Sequence, residues 1–319
     1  MELNEINPHA ARTHHKNFPD TILNLRATDI TQLDFSQLEL EPGEIDIMNL
    51  RKTWTRDELI IAMNLYCKLP FGKLHQKTPI IVEIAEKIGR TPGSLAMKLV
   101  NFASLDPVQQ ARGVKGLSGA SKADRLIWEE FNTNWEKLGI ESEERFQELV
   151  STEFSSINQA PLKQKTKTSK RDSITDPTNR IIEVTEILVT TRVRNGQKFF
   201  RQMVLSSYGN RCCITDNPIP TLLIASHIIP WHEQSEHRLN PHNGLCLART
   251  HDVAFDQGLI TFDENYKLVL SSYLQEFLPE ETLENNFVNY AGKQLRLPEK
   301  FQPKPEFLRF HQETIFLGK

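Results

Sequence analysis

Between Trp54 and about Phe102 the apolar residues recur at three- and four-residue intervals in three successive runs, which predicts three short helices. The first opens at Thr55, where Thr55 and Glu58 form a T-x-x-E capping box ahead of Leu59, Ile60, Met63, Leu65 and Tyr66. Pro70 and Gly72 end it. A second helix runs from about Pro79 to Ile88, with Ile81, Val82, Ile84, Ala85 and Ile88 as its buried positions, and Gly89 stops it. Thr91 caps a third, with Pro92 in the favoured first position, and it continues through Leu95, Ala96, Leu99 and Val100. Ser121 and Asp124 open a further capped helix through Trp128 and Trp135, and an acidic helix over 142–150 follows.

Beyond Ser151 the pattern fades. Residues 151–180 are Ser, Thr, Lys and Pro with few large apolar side chains, the composition of a linker. Val184, Thr185, Ile187, Val189, Thr190 and Thr191 then predict a strand over Ile181–Arg194, with Gly196 turning the chain into a helix, Lys198–Tyr208. Two shorter strands are expected at Leu222–Ile228 and Gly244–Leu247, and a helix from Thr250 to about Gln257 that Gly258 ends. Leu259–Phe262 and Tyr266–Leu270 read as a hairpin about Asp263–Asn265. The fold class is therefore α+β. It divides into an acidic arm (1–50, with a short element around Ile45–Leu50), an all-α domain (51–150), a linker (151–180) and a mixed domain (181–319).

Charge sharpens this division. Residues 1–50 carry 3 basic and 9 acidic side chains, residues 51–125 carry 13 and 6, and residues 126–150 carry 2 and 7. A basic block inside a chain of net charge −3 is the electrostatic footprint of a polyanion-binding module. Helix, tight turn at Gly89-Arg90 and helix is the spacing of a helix-turn-helix. Once the core face is assigned, Arg90, Thr91, Ser94, Met97, Lys98 and Asn101 are left to face DNA. No apolar run reaches the roughly 18–20 residues of a membrane span, and MELNEINPHA lacks the features of a secretory signal. The four cysteines include no C-x-x-C, so neither a disulfide framework nor a cysteine-built zinc site is expected, and the expected compartment is a reducing cytoplasm.

The chemistry concentrates in S226-H-I-I-P-W231 and N240-P-H-N-G-L-C-L-A-R-T-H-D-V-A-F-D-Q-G-L-I260. His227 stands where a strand ends in a proline-terminated loop, and Asn243 at the loop's other end. Asp252 and Asp256 are four apart on a helix and share a face, with His251 and Phe255 on the adjoining one. A histidine, an amide and paired carboxylates at such a junction can hold one divalent ion and leave an imidazole to deprotonate water. Arg192, Arg194 and Arg201, just upstream, are candidate phosphate clamps.

This segment resembles the HNH (ββα-metal) endonuclease motif, and V193-R-N-G-Q-K-F-F-R-Q-M-V-L-S-S-Y-G-N-R-C-C-I-T215 resembles the stretch that precedes it in that family. Trp54–Phe102 is similar to a module often found ahead of such nucleases in bacterial proteins. The resemblance implies an all-α helix-turn-helix-like domain joined by a linker to a ββα-metal nuclease domain. It implies His227 as general base and Asn243 as the residue that orients it. Asp252 and Asp256, nine and thirteen positions after Asn243, match the helix ligands, and His251 matches the final histidine of the motif, as a further ligand or a phosphate contact. Ser226 stands where many relatives have an Asp or His ligand. The implied cofactor is Mg²⁺ or Mn²⁺. The implied activity is restriction-like hydrolysis of double-stranded DNA, with modification-sensing as one form of it and a homodimer as one route to a double-strand break. Two alternatives are a DNA-binding regulator with a degenerate nuclease domain and an enzyme for RNA or structured junctions.

Overall fold

The computed structural model describes residues 53–113, 119–157 and 177–318, with side chains at all of these except 152–157 and 177–189. The acidic arm, with its element at Ile45–Leu50, and the middle of the expected linker lie outside the described residues.

Helix α1 (Arg56–Lys68) starts on the capping box read from the sequence: Thr55 Oγ1 accepts from the Glu58 amide, and a Glu58 carboxylate oxygen accepts from the Thr55 amide. Its apolar positions are not confined to one stripe. Every residue from Glu58 to Cys67 is buried, the pattern of a helix surrounded on all sides. Against it pack α3 (Pro92–Ala103), α5 (Lys122–Thr133), α6 (Trp135–Ile157) and α7 (Pro177–Ser207), with α2 (Pro79–Lys87) lying on α3 and the short α4 (Pro107–Ala111) following α3 in the chain. Gly89, at φ +65°, ends α2 in a Schellman turn: its amide donates to Glu86 and the Arg90 amide to Ala85. Ser121 and Asp124 close the second expected capping box at the start of α5.

The strand expected at Ile181–Arg194 is instead part of α7, a helix of 31 residues. The preference of Val, Ile and Thr for strands is weak and yields to context, and here the segment runs directly into the amphipathic turns of Phe199–Ser207. Gly196 is no turn; it lies within α7, buried against Leu239. The ends of the expected linker are helical too, residues 151–157 in α6 and 177–180 in α7.

The described residues from Trp54 onward pack as one compact unit. Tyr66, Trp128 and Trp135 all set their rings against Phe301 from the far end of the chain. The Lys300 ammonium, fully buried, donates to the Tyr66, Cys67 and Leu69 carbonyls at the C-terminus of α1, and Ser206 Oγ donates to Cys67. A buried cation on the last carbonyls of a helix also meets the negative end of its dipole.

On this base sits a strand–strand–helix unit. Strand β1 (Leu223–His227) pairs antiparallel with β2 (Gly244–Ala248), His227 opposite Gly244, and α8 (Arg249–Asp256) follows β2 without a break. The expected hairpin is present as β3 (Ile260–Phe262) and β4 (Leu268–Leu270). Helices α9 (Ser272–Gln275), α10 (Glu281–Asn286) and α11 (Pro305–Thr314) complete the chain, α11 against β3. Among the described residues no helix is long and apolar enough to cross a membrane.

Candidate active site

His227 is the last residue of β1, and three neighbours fix its ring. The Phe200 ring of α7 stacks on it at 4.0 Å and 8°, Trp231 meets it edge-on, and Nε2 lies 2.9 Å from the Arg238 carbonyl. A carbonyl only accepts, so Nε2 carries the proton. In the neutral ring Nδ1 is then an acceptor, and it has no hydrogen-bond partner among the described residues. Burial holds the imidazole below its ordinary pKa, outweighing the Arg238 carbonyl, so the ring is neutral at pH 7.

Asn243 sits at the far end of the loop that His227 begins, and is buried. Its Oδ1 accepts from the Ile229 amide at 2.8 Å, while Nδ2 donates to the Ile229 and His237 carbonyls. The amide side chain thus staples both ends of a fourteen-residue excursion, and its grip on the base passes through the backbone rather than the imidazole.

Asp252 and Asp256 face the same cleft as Ser226 and His227, a space of about 400 Å³ closed on one side by Trp231 and on another by His311. Burial raises the Asp252 carboxyl, opposed by the nearby Ser226 hydroxyl and Arg249. Asp256 is an exposed residue, yet its carboxyl is pushed up to about 6 by partial burial and then by the charge of Asp252. The Ser226 hydroxyl is buried and close enough to favour the Asp252 carboxylate without closing a hydrogen bond. Two mutually repelling carboxylates beside an unsatisfied hydroxyl are a set that a hard divalent cation relieves, its other positions going to water and phosphate. The residues present therefore fit such an ion.

Several expected site residues lie elsewhere. His251 points away from the cleft: Nε2 donates to Asn286, the ring packs on Phe287 and Tyr290, and Nδ1 is buried without a partner. Its position one residue before Asp252 turns it about 100° round a two-turn helix. It is neither a ligand nor a base here, and among the described residues no three His, Cys, Asp or Glu side chains group to hold an ion.

Of the residues expected to read DNA, Arg90 pairs with Glu58 beneath Trp54, Lys98 pairs with the fully buried Asp124, and Asn101 donates to Asp124 and Gly119. Thr91 caps α3 through the Ser94 amide, which leaves only Thr91 and Met97 openly exposed. The basic block and the acidic segment after it are partly each other's counterions, with Arg56 on Glu130 and Glu141 and Lys68 on Glu143. On α7, Arg192 is exposed and paired with Glu144, and Arg194 is exposed. Arg201 lines a groove with Gln197, Phe200 and His227 that joins the cleft, and with Lys198 it also lines a second space of about 530 Å³ at the junction with α1 and α6.

Phe200, Arg238 and His311 reach the site without having been singled out in the sequence. Phe200 is the only one with a local signal, its place in the segment resembling the family's upstream stretch; the others come from a loop and from a helix 84 positions beyond His227.

No curated protein matches the chain. Residues 212–263, which run from Cys212 through β1, β2, α8 and β3, match the HNH endonuclease family, and the chain therefore carries an HNH endonuclease domain.

Proposed function

We propose that the protein is a metal-dependent endonuclease that hydrolyses phosphodiester bonds in double-stranded DNA, with a restriction-like role against foreign DNA. The observation that carries this reading is the hydrogen bond from His227 Nε2 to the Arg238 carbonyl. It leaves Nδ1 unprotonated on a residue that lines the cleft holding Asp252 and Asp256.

In the mechanism, Nδ1 of neutral His227 takes a proton from a water molecule as its oxygen attacks phosphorus. The P–O3′ bond breaks, the 5′-phosphate forms, and the departing 3′-oxygen takes a proton from solvent. Asp252 and Asp256 would hold a divalent ion, Mg²⁺ or Mn²⁺, which would supply the positive charge that such a displacement needs at the phosphate and the leaving oxygen. Phe200 and the Arg238 carbonyl keep the imidazole in one tautomer and one plane, and Asn243 fixes the loop that carries Arg238. Arg201 and Lys198 draw the flanking strand along α7; neither forms an ion pair with a carboxylate among the described residues, so both charges remain for phosphate. The described residues of each chain form one such cleft, so a double-strand break takes two copies or two successive cuts.

The test is cleavage of supercoiled plasmid, with and without base methylation, beside structured RNA, in Mg²⁺, Mn²⁺ or EDTA. Metal-dependent nicking of DNA with 5′-phosphate ends supports the reading. Cleavage of RNA alone, or DNA binding without any cut, replaces it with one of its two rivals.

A further inference from the structure

The last turn of α8 carries Asp256, and α8 has only eight residues. A helix of two turns does not hold its own end in water. Three contacts from the C-terminal segment converge on that end, all from residues outside the matched stretch 212–263. His311 of α11 stacks on Phe255 at 3.7 Å and 6°, and its Nε2 donates to the Phe255 carbonyl at 2.9 Å. That carbonyl also accepts from the Gly258 amide in the turn that closes the helix, so both its lone pairs are used. The Leu317 amide donates to the Gly258 carbonyl at 2.9 Å. Gly258 itself sits at φ +69°, and a Cβ there would stand 2.1 Å from the Ile315 carbonyl oxygen, so this position needs glycine both for its backbone and for the closeness of the tail. The other nitrogen of His311 is set by Thr261 Oγ1 at 2.9 Å, which orients the ring from β3. His311 is buried, yet it and Ile315 form a wall of the cleft.

We propose that His311 is a positioning residue for Asp256: the C-terminal helix holds the end of the ligand helix so that the Asp256 carboxylate stays in the cleft beside Asp252. This rests on the metal-dependent reading above. It gives residues 305–317 a part in the site.

The experiment compares wild type, His311→Ala, His311→Gln and Thr261→Val as full chains. Mn²⁺ affinity is read by electron paramagnetic resonance, and hydrogen exchange is followed at the amides of Gln257, Gly258 and Leu259. Those three amides close the end of α8 on Val253, Phe255 and Ala254. His311→Ala should weaken Mn²⁺ by about 10–100-fold and speed exchange at the three amides while α1 stays protected. Glutamine, which can both donate and accept, should restore most of the affinity, and Thr261→Val should lose part of it. At saturating Mn²⁺ the kcat of His311→Ala should fall with KM for DNA unchanged.

Wild-type affinity and exchange in a folded His311→Ala chain overturn the proposal. If the alanine chain does not fold, the other two decide: wild-type Mn²⁺ affinity and wild-type exchange at the three amides in Thr261→Val, or a folded His311→Gln chain that has lost Mn²⁺ binding altogether, overturns the proposal. A wild-type chain that neither binds Mn²⁺ nor cuts DNA sinks the nuclease reading instead, while the exchange of the three amides still tests the brace.

Discussion

Asp256→Asn should make the metal-free protein more stable at pH 8 and abolish its stabilisation by metal. Without an ion the carboxyl is pushed from 3.8 up to about 6, by burial and by Asp252. It is also the last residue of α8, where the helix dipole disfavours negative charge. A shift of about 2 pKa units corresponds to roughly 3 kcal/mol. Asp256 is exposed, so solvent screening leaves at most about half of that, roughly 1–1.5 kcal/mol. The sign follows from which state holds the proton more tightly. Below about pH 4 the carboxyl is protonated in both native and unfolded chains and costs nothing. Between about pH 4 and 6 the unfolded chain releases its proton while the native one retains it, so native stability falls, and above 6 the full cost is present. Asparagine removes that cost. Scanning calorimetry in EDTA should show Asp256→Asn melting about 2–4 °C above wild type at pH 8 and close to it at pH 4. Added Mn²⁺ should then raise the wild type and leave the variant where it is. A variant that melts below wild type at pH 8 in EDTA refutes the claim that the two carboxylates repel each other while waiting for a cation.

Other substitutions separate packing from chemistry. Asn243→Ala strips three hydrogen bonds from a buried loop and should cost about 2–4 kcal/mol in urea unfolding, with kcat falling further than stability alone explains. Arg90→Ala removes the guanidinium that neutralises Glu58 in a nearly buried site and should cost about 3 kcal/mol, while DNA affinity of the remaining folded protein stays unchanged. Arg201→Ala should act in the opposite way, leaving the melting temperature alone and lowering the slope of log affinity against log salt by about 1, as measured by fluorescence anisotropy.

Local signals in the sequence served well wherever the physics is local. The Thr55 and Ser121 capping boxes, the Gly89 and Gly258 helix ends and the turn about Asp263–Asn265 all depend on residues within five positions of one another, and each appears as read. The strand–loop–strand–helix order that sets His227, Asn243, Asp252 and Asp256 was legible for the same reason, and three of the four line or reach one cleft while Asn243 braces its loop. What failed depended on distant partners. Arg90 and Lys98 look outward on a helical wheel, but Glu58 and Asp124, 32 and 26 positions away, bury them. His251 looks like part of the motif, and only the packing of α10 against it shows that its ring serves the core. The β-branched run at 184–191 suggested a strand, a weak preference that yields where the chain continues without a break into the helical turns of Phe199–Ser207. The participation of His311 had no sequence signal at all.

The central claim is that an unprotonated imidazole nitrogen beside two carboxylates drives phosphodiester hydrolysis. Its most direct test is a nicking time course on supercoiled plasmid with saturating Mn²⁺, comparing wild type with His227→Ala, alongside anisotropy of a labelled duplex. Loss of a general base should slow cleavage by about 10²–10⁴-fold while duplex affinity holds. His227→Ala cutting at the wild-type rate contradicts the account.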